Sequence, residues 1–426
     1  IYRKDWIKWE VIKNILLLFL VGISMYLYLI IRANAKPPMN WGDPYNIGRA
    51  IYHIFRKQYG EISKLSHTMQ SFNEMALVYW NWFIKEFTPY LLIFIPVGIY
   101  GFNKKDKKLS WIFMFTVLVT VFGMNYVLNY EINPRNIYVN QVFFIPSYIF
   151  AALFMGLGLV FLAEKIKYFS YFTPLLVLFP LIVNYQNVDL SRNYIAYNYG
   201  KNIFNTIEKN GIFFTEGDNQ MFILAYLQYV EKVRKDVTVY DDIGCIFKNI
   251  YGEDFLKIPR SERDIIRNEK QKAVIDKTQN TAYIPLVGGK REFITFYKKE
   301  QCGILYKIKK DKKVSLSLSL KDYFKSYDLS GIQNKYADYL VKDIIAQYYF
   351  SFGEYYFSGG DKKKSLENFE KCDQIGNDLE WVSNNLGVAY SEKGFKEKAL
   401  EYAQKSVSVN PSSSRDYSNL GVMYYQ

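Results

Sequence analysis

Three cationic side chains recur along the stretch "NWGDPYNIGRAIYHIFRKQYG": Arg49, His53 and Arg56, spaced so that they share one side of a helix. Planar guanidinium groups grip phosphate oxygens two at a time, so the chemistry such a strip suits is the retention of a phosphate or pyrophosphate. Tyr52, Phe55 and Tyr59 fill the adjoining strip. Rings beside cations suit a helix lying in a membrane interface, and two readings stay open: a plain anchor, or a surface that holds a lipid-borne phosphate. Asp43 followed by Pro44 reads as an N-cap with proline at the first helical position, and Gly60 reads as the stop. This predicts an interfacial helix over 44–59.

A second group of polar residues lies in "GIFFTEGDNQMFILAYLQYVEKVRKDVTVYDD". The order strand, Gly-Asp-Asn turn, helix and strand predicts a small α/β unit with a parallel pair. Glu216, Asp218 and Asn219 stand at the end of the first strand, where open α/β sheets collect ligands, so a divalent cation or another ligand could meet them there. Asp218 reads more simply as the N-cap of a helix running to Tyr229. Asp236, Asp241 and Asp242 lack the fixed spacing of a paired-carboxylate site. Cys245, Cys302 and Cys372 are far apart, with no C-x-x-C pair and no neighbouring histidine, which argues against a zinc site and a disulfide framework. His53 and His67 read as surface or packing residues rather than metal ligands. "VGGKREF" lacks the Ser or Thr that closes a phosphate-binding loop, so Gly288-Gly289 is expected to be a hairpin turn.

These residues must be positioned by a membrane. The chain has 426 residues, half of them hydrophobic, with 39 Tyr, 32 Phe and a formal charge of +13. Its mean hydropathy of -0.12 averages an apolar first part with a Lys-rich second part. The basic clusters lie beside apolar runs, which points to membrane orientation and anionic lipid rather than nucleic acid. Apolar runs at 14–31, 87–102, 109–128, 142–162 and 168–183 predict about five spans, the second and fifth short against the ~20 residues a crossing needs. Arg3, Lys4, Lys8 and Lys13 precede the first run, Lys104, Lys105, Lys107 and Lys108 follow the second, and Lys165 and Lys167 follow the fourth. With five crossings all three clusters share the cytoplasmic side, which places 32–86 and everything after 183 outside. No span carries an evident mid-membrane carboxylate or basic residue, which argues against a transporter.

Phe352-Gly353-x2-Tyr356, Leu386-Gly387-x2-Tyr390 and Leu420-Gly421-x2-Tyr424 recur with the ~34-residue period of tetratricopeptide repeats. Phe369, Ala399 and Pro411 fall at the expected large, small and terminal positions; Ser365 stands where alanine is usual. Such an array offers a surface to a protein partner or closes off the domain before it. The expected organisation is multi-domain: an α-helical polytopic membrane region over 1–186, an extracytoplasmic α/β domain over 187–330, and an all-α repeat solenoid over 331–426, its third repeat incomplete.

Three blocks carry a family resemblance: "WGDP…GRAIYHIFRKQYG", "INPRNIYVNQVFFIPSYIFAALFMGLGL", and the strand block ending in "RKDVTVYD". In this order, over about 40–242, the chain resembles a bacterial family of polytopic membrane proteins related to the transmembrane protein O-mannosyltransferases. The resemblance implies a GT-C-like glycosyltransferase that uses a polyprenyl-phosphate sugar and modifies protein hydroxyls outside the cytoplasm, in a bacterial inner membrane. Arg49, His53, Arg56 and Arg135 would then hold donor phosphate. The catalytic carboxylate would belong to a first outer loop upstream of Ile1, so the chain is expected to be a C-terminal fragment, inactive alone. Arg135 is followed by Asn136 where the family more often has an acidic partner. The alternative is a non-catalytic, membrane-anchored repeat scaffold. The implied partners are membrane lipid, the lipid-linked donor and a protein bound by the repeats.

Overall fold

The computed structural model describes residues 8–55, 57, 68–127, 132–288, 291–310, 322–333, 337–411 and 413–425. Among the described residues the fold is mostly helical, with a small sheet, repeat-like helical pairs and three to four candidate membrane spans. It divides into two compact units interleaved in sequence: Ile1–Glu61, Tyr194–Gln333 and Ile344–Ile375 form the first, and Ile62–Asn193, Asn334–Asp343 and Gly376–Gln426 the second.

In the first unit, α1 (Trp9–Asn34) is long and apolar enough to cross a membrane, and its side chains are exposed along nearly its whole length. A short helix, α2 (Ile47–Ile54), follows. The remainder is built on a five-stranded sheet of order β2-β1-β3-β5-β4. Central β1 (Ile212–Phe214) is wholly buried and pairs in parallel with β2 (Thr238–Tyr240) and β3 (Ala282–Pro285), the apolar run a doubly covered strand requires. The expected parallel pair is present. The expected hairpin at Gly288-Gly289 is not: β3 pairs antiparallel with β5 (Leu305–Lys309), and the tight turn joins β4 (Lys298–Cys302) to β5 around Gly303. Gly303 has φ +61° and no room for a Cβ beside the Tyr327 hydroxyl, whereas Gly288 lies against Glu216 and Gly289 is outside the described residues. Helix α8 (Ile195–Thr206) is tied to the segment after Ile344 by polar groups, with Asn202 Nδ2 donating to the Tyr348 hydroxyl (2.7 Å) and the Tyr199 hydroxyl to Gln347 Oε1 (2.7 Å). Gly353 leaves no space for a side chain against the Phe369 ring, and the Ser365 hydroxyl donates to Gly353 O at 2.8 Å. The serine at a usual alanine position therefore satisfies itself across the helix pair.

In the second unit, α3 (Met69–Phe87) turns through 101° into α4 (Leu91–Lys105) at Thr88, whose φ is +57°. Helices α5 (Lys107–Val127) and α6 (Pro134–Lys165) are each long enough to span, while the apolar segment Phe169–Tyr185, within which most of α7 (Thr173–Val188) lies, is shorter. The second apolar run of the sequence thus straddles a break. Gly98 of α4 and Gly158 of α6 place the two backbones in contact: a Cβ on Gly98 would fall on Phe154 O, and one on Gly158 on Phe94 O. Small residues do this in membrane helix pairs, where close packing replaces hydrophobic burial as the attraction. Lys105 Nζ meets Glu164 Oε1 at 3.0 Å near the same ends. Further along, a helical pair (Val382–Glu392 and Lys396–Val409) packs Gly387 against Ala399 O and Ala403 N, with Tyr390 buried beside Tyr402. This is the close approach that the repeat pattern demands.

Candidate functional site

The segment leaving α1 is shaped by side-chain caps. Asn34 Nδ2 donates to Tyr45 O (2.8 Å), so the residues before α2 are pinned to the end of the span. The helix begins at Ile47 rather than Pro44. Asp43 takes φ +41° and its carboxylate accepts from Asn40 Nδ2 (2.6 Å), which withdraws it from capping; Asn46 is extended instead, and its Oδ1 accepts from Arg49 N at 2.9 Å. Arg56, Tyr59, Gly60 and His67 lie outside the described residues.

The strip expected to face phosphate packs against the sheet-bearing part of the first unit. Arg49 Nη2 meets Glu253 Oε2 at 3.1 Å and Asp254 Oδ1 at 3.6 Å, donates to Glu253 O, and its guanidinium covers the Tyr45 ring. The Tyr52 hydroxyl reaches Leu256 O, and the His53 ring lies against Gly42, whose φ of +72° and lack of Cβ make room for it. Between these surfaces is a cavity of about 330 Å³ whose walls include Asn40, Asp43, Arg49, Cys245, Asn249 and Glu253. Its composition, one arginine among carboxylates, amides and exposed backbone, suits a small polar group.

The far wall of that cavity is organised by two residues whose structural role the sequence reading did not identify. Asp241 is buried and accepts four backbone N–H groups, from Ile243 and Cys245 on one oxygen and from Ile246 and Phe247 on the other, at 2.8–3.2 Å. Asn249 Oδ1 accepts from Tyr251 N (2.8 Å) and Gly252 N (3.2 Å). An acidic residue at a strand's end ahead of a run of small and apolar residues is the only signal for such a loop anchor. Burial pushes the Cys245 thiol up to about 12, so it is a neutral wall residue and no nucleophile.

At the carboxyl ends of β1, β2 and β3 lies a second charged group. Glu216 Oε2 pairs with buried Arg291 Nη2 at 2.9 Å, and that arginine also donates to Thr215 O. Burial, reinforced by Glu216, raises the Asp242 carboxyl to about 6 against the opposing pull of Arg267. Asp218 is not a cap: Gly217 occupies that position with φ +72°, and Asp218 opens α9 (Asp218–Ala225) as its first residue, where its charge complements the helix dipole. Asn219 follows it in the same turn. Among the described residues no three His, Cys, Asp or Glu side chains gather to hold a metal ion. Asp236 is held by both Arg234 Nε and Nη2 (2.9 Å each), and Arg234 in turn donates to the carbonyls of Phe204, Ile207 and Glu208 that end α8 (Ile195–Thr206). The Arg-Lys-Asp motif is therefore a helix stop. Arg135 belongs to the second unit, exposed in the first turn of α6 after Pro134, with Asn133 capping Asn136 N at 2.8 Å.

Residues 196–243, which run from α8 to the loop of Asp241, match the family description TMEM260-associated domain 2, and residues 346–375 and 382–413 match the tetratricopeptide repeat. The chain carries a TMEM260-associated domain and tetratricopeptide repeats. It is 23% identical over 264 residues to the mouse protein O-mannosyl-transferase TMEM260, covering 54% of this chain and 35% of the relative. It is 22% identical over 271 residues to the tmem260 protein O-mannosyl-transferase of Dictyostelium discoideum, covering 54% and 32%. The chain thus spans about a third of the length of these curated relatives. A stretch of 69 residues, 16% of the chain, is 32% identical to the photosystem I assembly protein Ycf3 of Rippkaea orientalis, covering 40% of it. No solved structure matches. Both TMEM260 relatives are named protein O-mannosyl-transferases, and three helices of this chain are long and apolar enough to cross a membrane.

Proposed function

We propose that this chain is the C-terminal portion of a GT-C-like membrane glycosyltransferase that moves a sugar from a polyprenyl-phosphate donor to hydroxyls of proteins outside the cytoplasm. The observation that carries the reading is the place of the cavity: the loop that follows the TMEM260-associated domain forms one wall and the segment leaving the first span forms the other. On this reading the α/β domain and the repeats are extracytoplasmic, the five apolar runs of the sequence all cross an inner membrane, and the repeats receive the acceptor protein. Arg49, at the cavity, meets the donor phosphate, with His53 and Arg56 on the same strip as further contacts; Arg135 is a separate phosphate-holding candidate. The base that takes the acceptor proton comes from an outer loop upstream of Ile1. Asp218 and Asn219 complete the candidate set as residues for an acceptor or a divalent ion, with Glu216 and Asp242 beside them at the strand ends.

The test is reconstitution of the full-length protein in liposomes with radiolabelled polyprenyl-phosphate mannose and a Ser/Thr-rich acceptor protein. Label in the acceptor that depends on the protein supports the reading. A protein that binds no polyprenyl-phosphate sugar and transfers none overturns it. The likeness of one segment to an assembly protein favours the second reading, a membrane-anchored repeat scaffold, and pull-down of a defined partner by the repeats without transfer would select it.

A further inference from the structure

Helix α2 has two unlike faces. At 3.6 residues per turn Arg49, Tyr52 and His53 lie together and meet the loop 252–257 and Gly42, while Ile47, Ile51, Ile54 and Phe55 lie on the opposite side. That opposite side is bare: Ile47 is 67% exposed, Ile51 48% and Phe55 69%. A second apolar stripe runs along α9 and the turn after it, where Phe222, Tyr226 and Val230 repeat at four-residue spacing and are all exposed. The two stripes are joined, because Trp41, just before α2, stacks on Phe222 with ring centroids 5.7 Å apart and planes 11° from parallel. Monomer surfaces seldom leave such a run of large apolar groups uncovered, so it has an occupant.

We infer that the occupant is the lipid bilayer, and that the TMEM260-associated domain rests on the membrane surface through these two stripes. Continuity with the span argues for lipid over a protein partner. Asn34, the last residue of α1, donates to Tyr45 O, which precedes the cap of α2 by one residue, so α2 starts where the chain leaves the hydrocarbon. A helix that begins at that depth, apolar on one side and clamped on the other, lies along the interface. The rim of the second stripe has the matching chemistry. Tyr197 donates to Glu231 Oε2 at 2.9 Å next to Val230, and Lys201 Nζ stands over the Tyr197 ring at 5.1 Å, a pairing of amphipathic ring and cation that suits the headgroup layer. The polar cavity then opens at headgroup height, and this holds whether or not the protein transfers sugar.

The test uses the full-length protein in nanodiscs of mixed phosphatidylcholine and phosphatidylglycerol, with single spin labels at Ile51→Cys and Val230→Cys and a water-exposed control at Lys248→Cys; the three native cysteines are buried. Lipid contact predicts an oxygen-to-nickel collision ratio several-fold higher at Ile51 and Val230 than at Lys248. Phe55→Cys and Tyr226→Cys repeat the measurement on each stripe should a first label disturb the fold. A ratio equal to the control at either stripe means water, and exclusion of both quenchers with an immobile label means protein, another part of the chain or a second copy. Either result overturns the inference.

Discussion

Arg49 Nη2 stands 3.1 Å from Glu253 Oε2, with the arginine side chain 15% exposed and the carboxylate 72% exposed. An ion pair with so wet a carboxylate contributes little by itself, so the guanidinium is presented rather than consumed. If Arg49 meets a donor phosphate, Arg49→Ala in the full-length protein raises the donor KM at least tenfold. Glu253→Gln leaves it unchanged or lowers it, because a competing carboxylate has gone. Equal losses from both changes in a steady-state transfer assay would reduce the pair to a latch between α2 and the loop that carries Glu253.

Arg234 and Asp236 act on stability rather than chemistry. Arg234→Ala strips three carbonyls at the end of α8 of their donor and is expected to cost about 1–3 kcal/mol. The hydrogen bonds from Arg234 hold the Asp236 carboxyl down to about 2 from an ordinary 3.8. Its folded value is the lower one, so its contribution is complete above about 4 and is lost as pH falls toward 2. The thermal midpoint of Asp236→Asn should therefore lie below wild type at pH 7 and converge with it on acidification.

Which of these features the sequence discloses depends on the range of the interaction. Period and composition are local, so the glycine-and-tyrosine repeats, the apolar runs and the parallel pair around β1 follow from neighbouring residues. The role of Arg49 does not, since a helical wheel shows that Arg49 and His53 share a side but not which side is covered, and Glu253 lies some two hundred residues away. Asp43 and Asn46 are both good caps. Proline after Asp43 favours it locally, and only the bond from Asn40 decides the matter. Gly288 and Gly303 are likewise equal as turn residues until β3 finds β5. Asp241 reads as one more carboxylate because the four N–H groups it collects become convergent only once the loop has closed.

Asp242 gives the opposite pH dependence to Asp236. Burial, with Glu216 nearby, raises it from 3.8 to about 6, so the folded state holds its proton more tightly than the unfolded one. The contribution of Asp242 to stability is then greatest at low pH and declines as pH rises between about 4 and 6, at up to roughly 1.4 kcal/mol per unit. Asp242→Asn keeps the group neutral. Hydrogen exchange of the backbone at 243–247 should be slower in this variant than in wild type at pH 8, after correction for intrinsic rate, and equal to it at pH 4. Faster exchange at pH 8 would show that the ionised carboxylate is what the loop needs.

The crossing of α4 and α6 can be separated from general tolerance of the membrane region because two glycines offer opposite environments. A side chain at Gly98 would displace the backbone of α6 at Phe154, whereas Gly156, also on α6, has nothing within 4 Å of its missing Cβ. Overpacking a closed contact costs on the order of 1–3 kcal/mol or more, and an open position costs almost none. The Lys105–Glu164 distance of 3.0 Å supplies the readout, since cysteines at those two positions should be joined by a short bis-thiol reagent. Gly98→Leu is expected to abolish that cross-link and Gly156→Leu to leave it at the parent level. Loss of the cross-link in both variants would mean that the membrane region tolerates no added bulk on these helices, whether or not the glycine is at the contact. Retention in both would mean that α4 and α6 do not meet through their glycines.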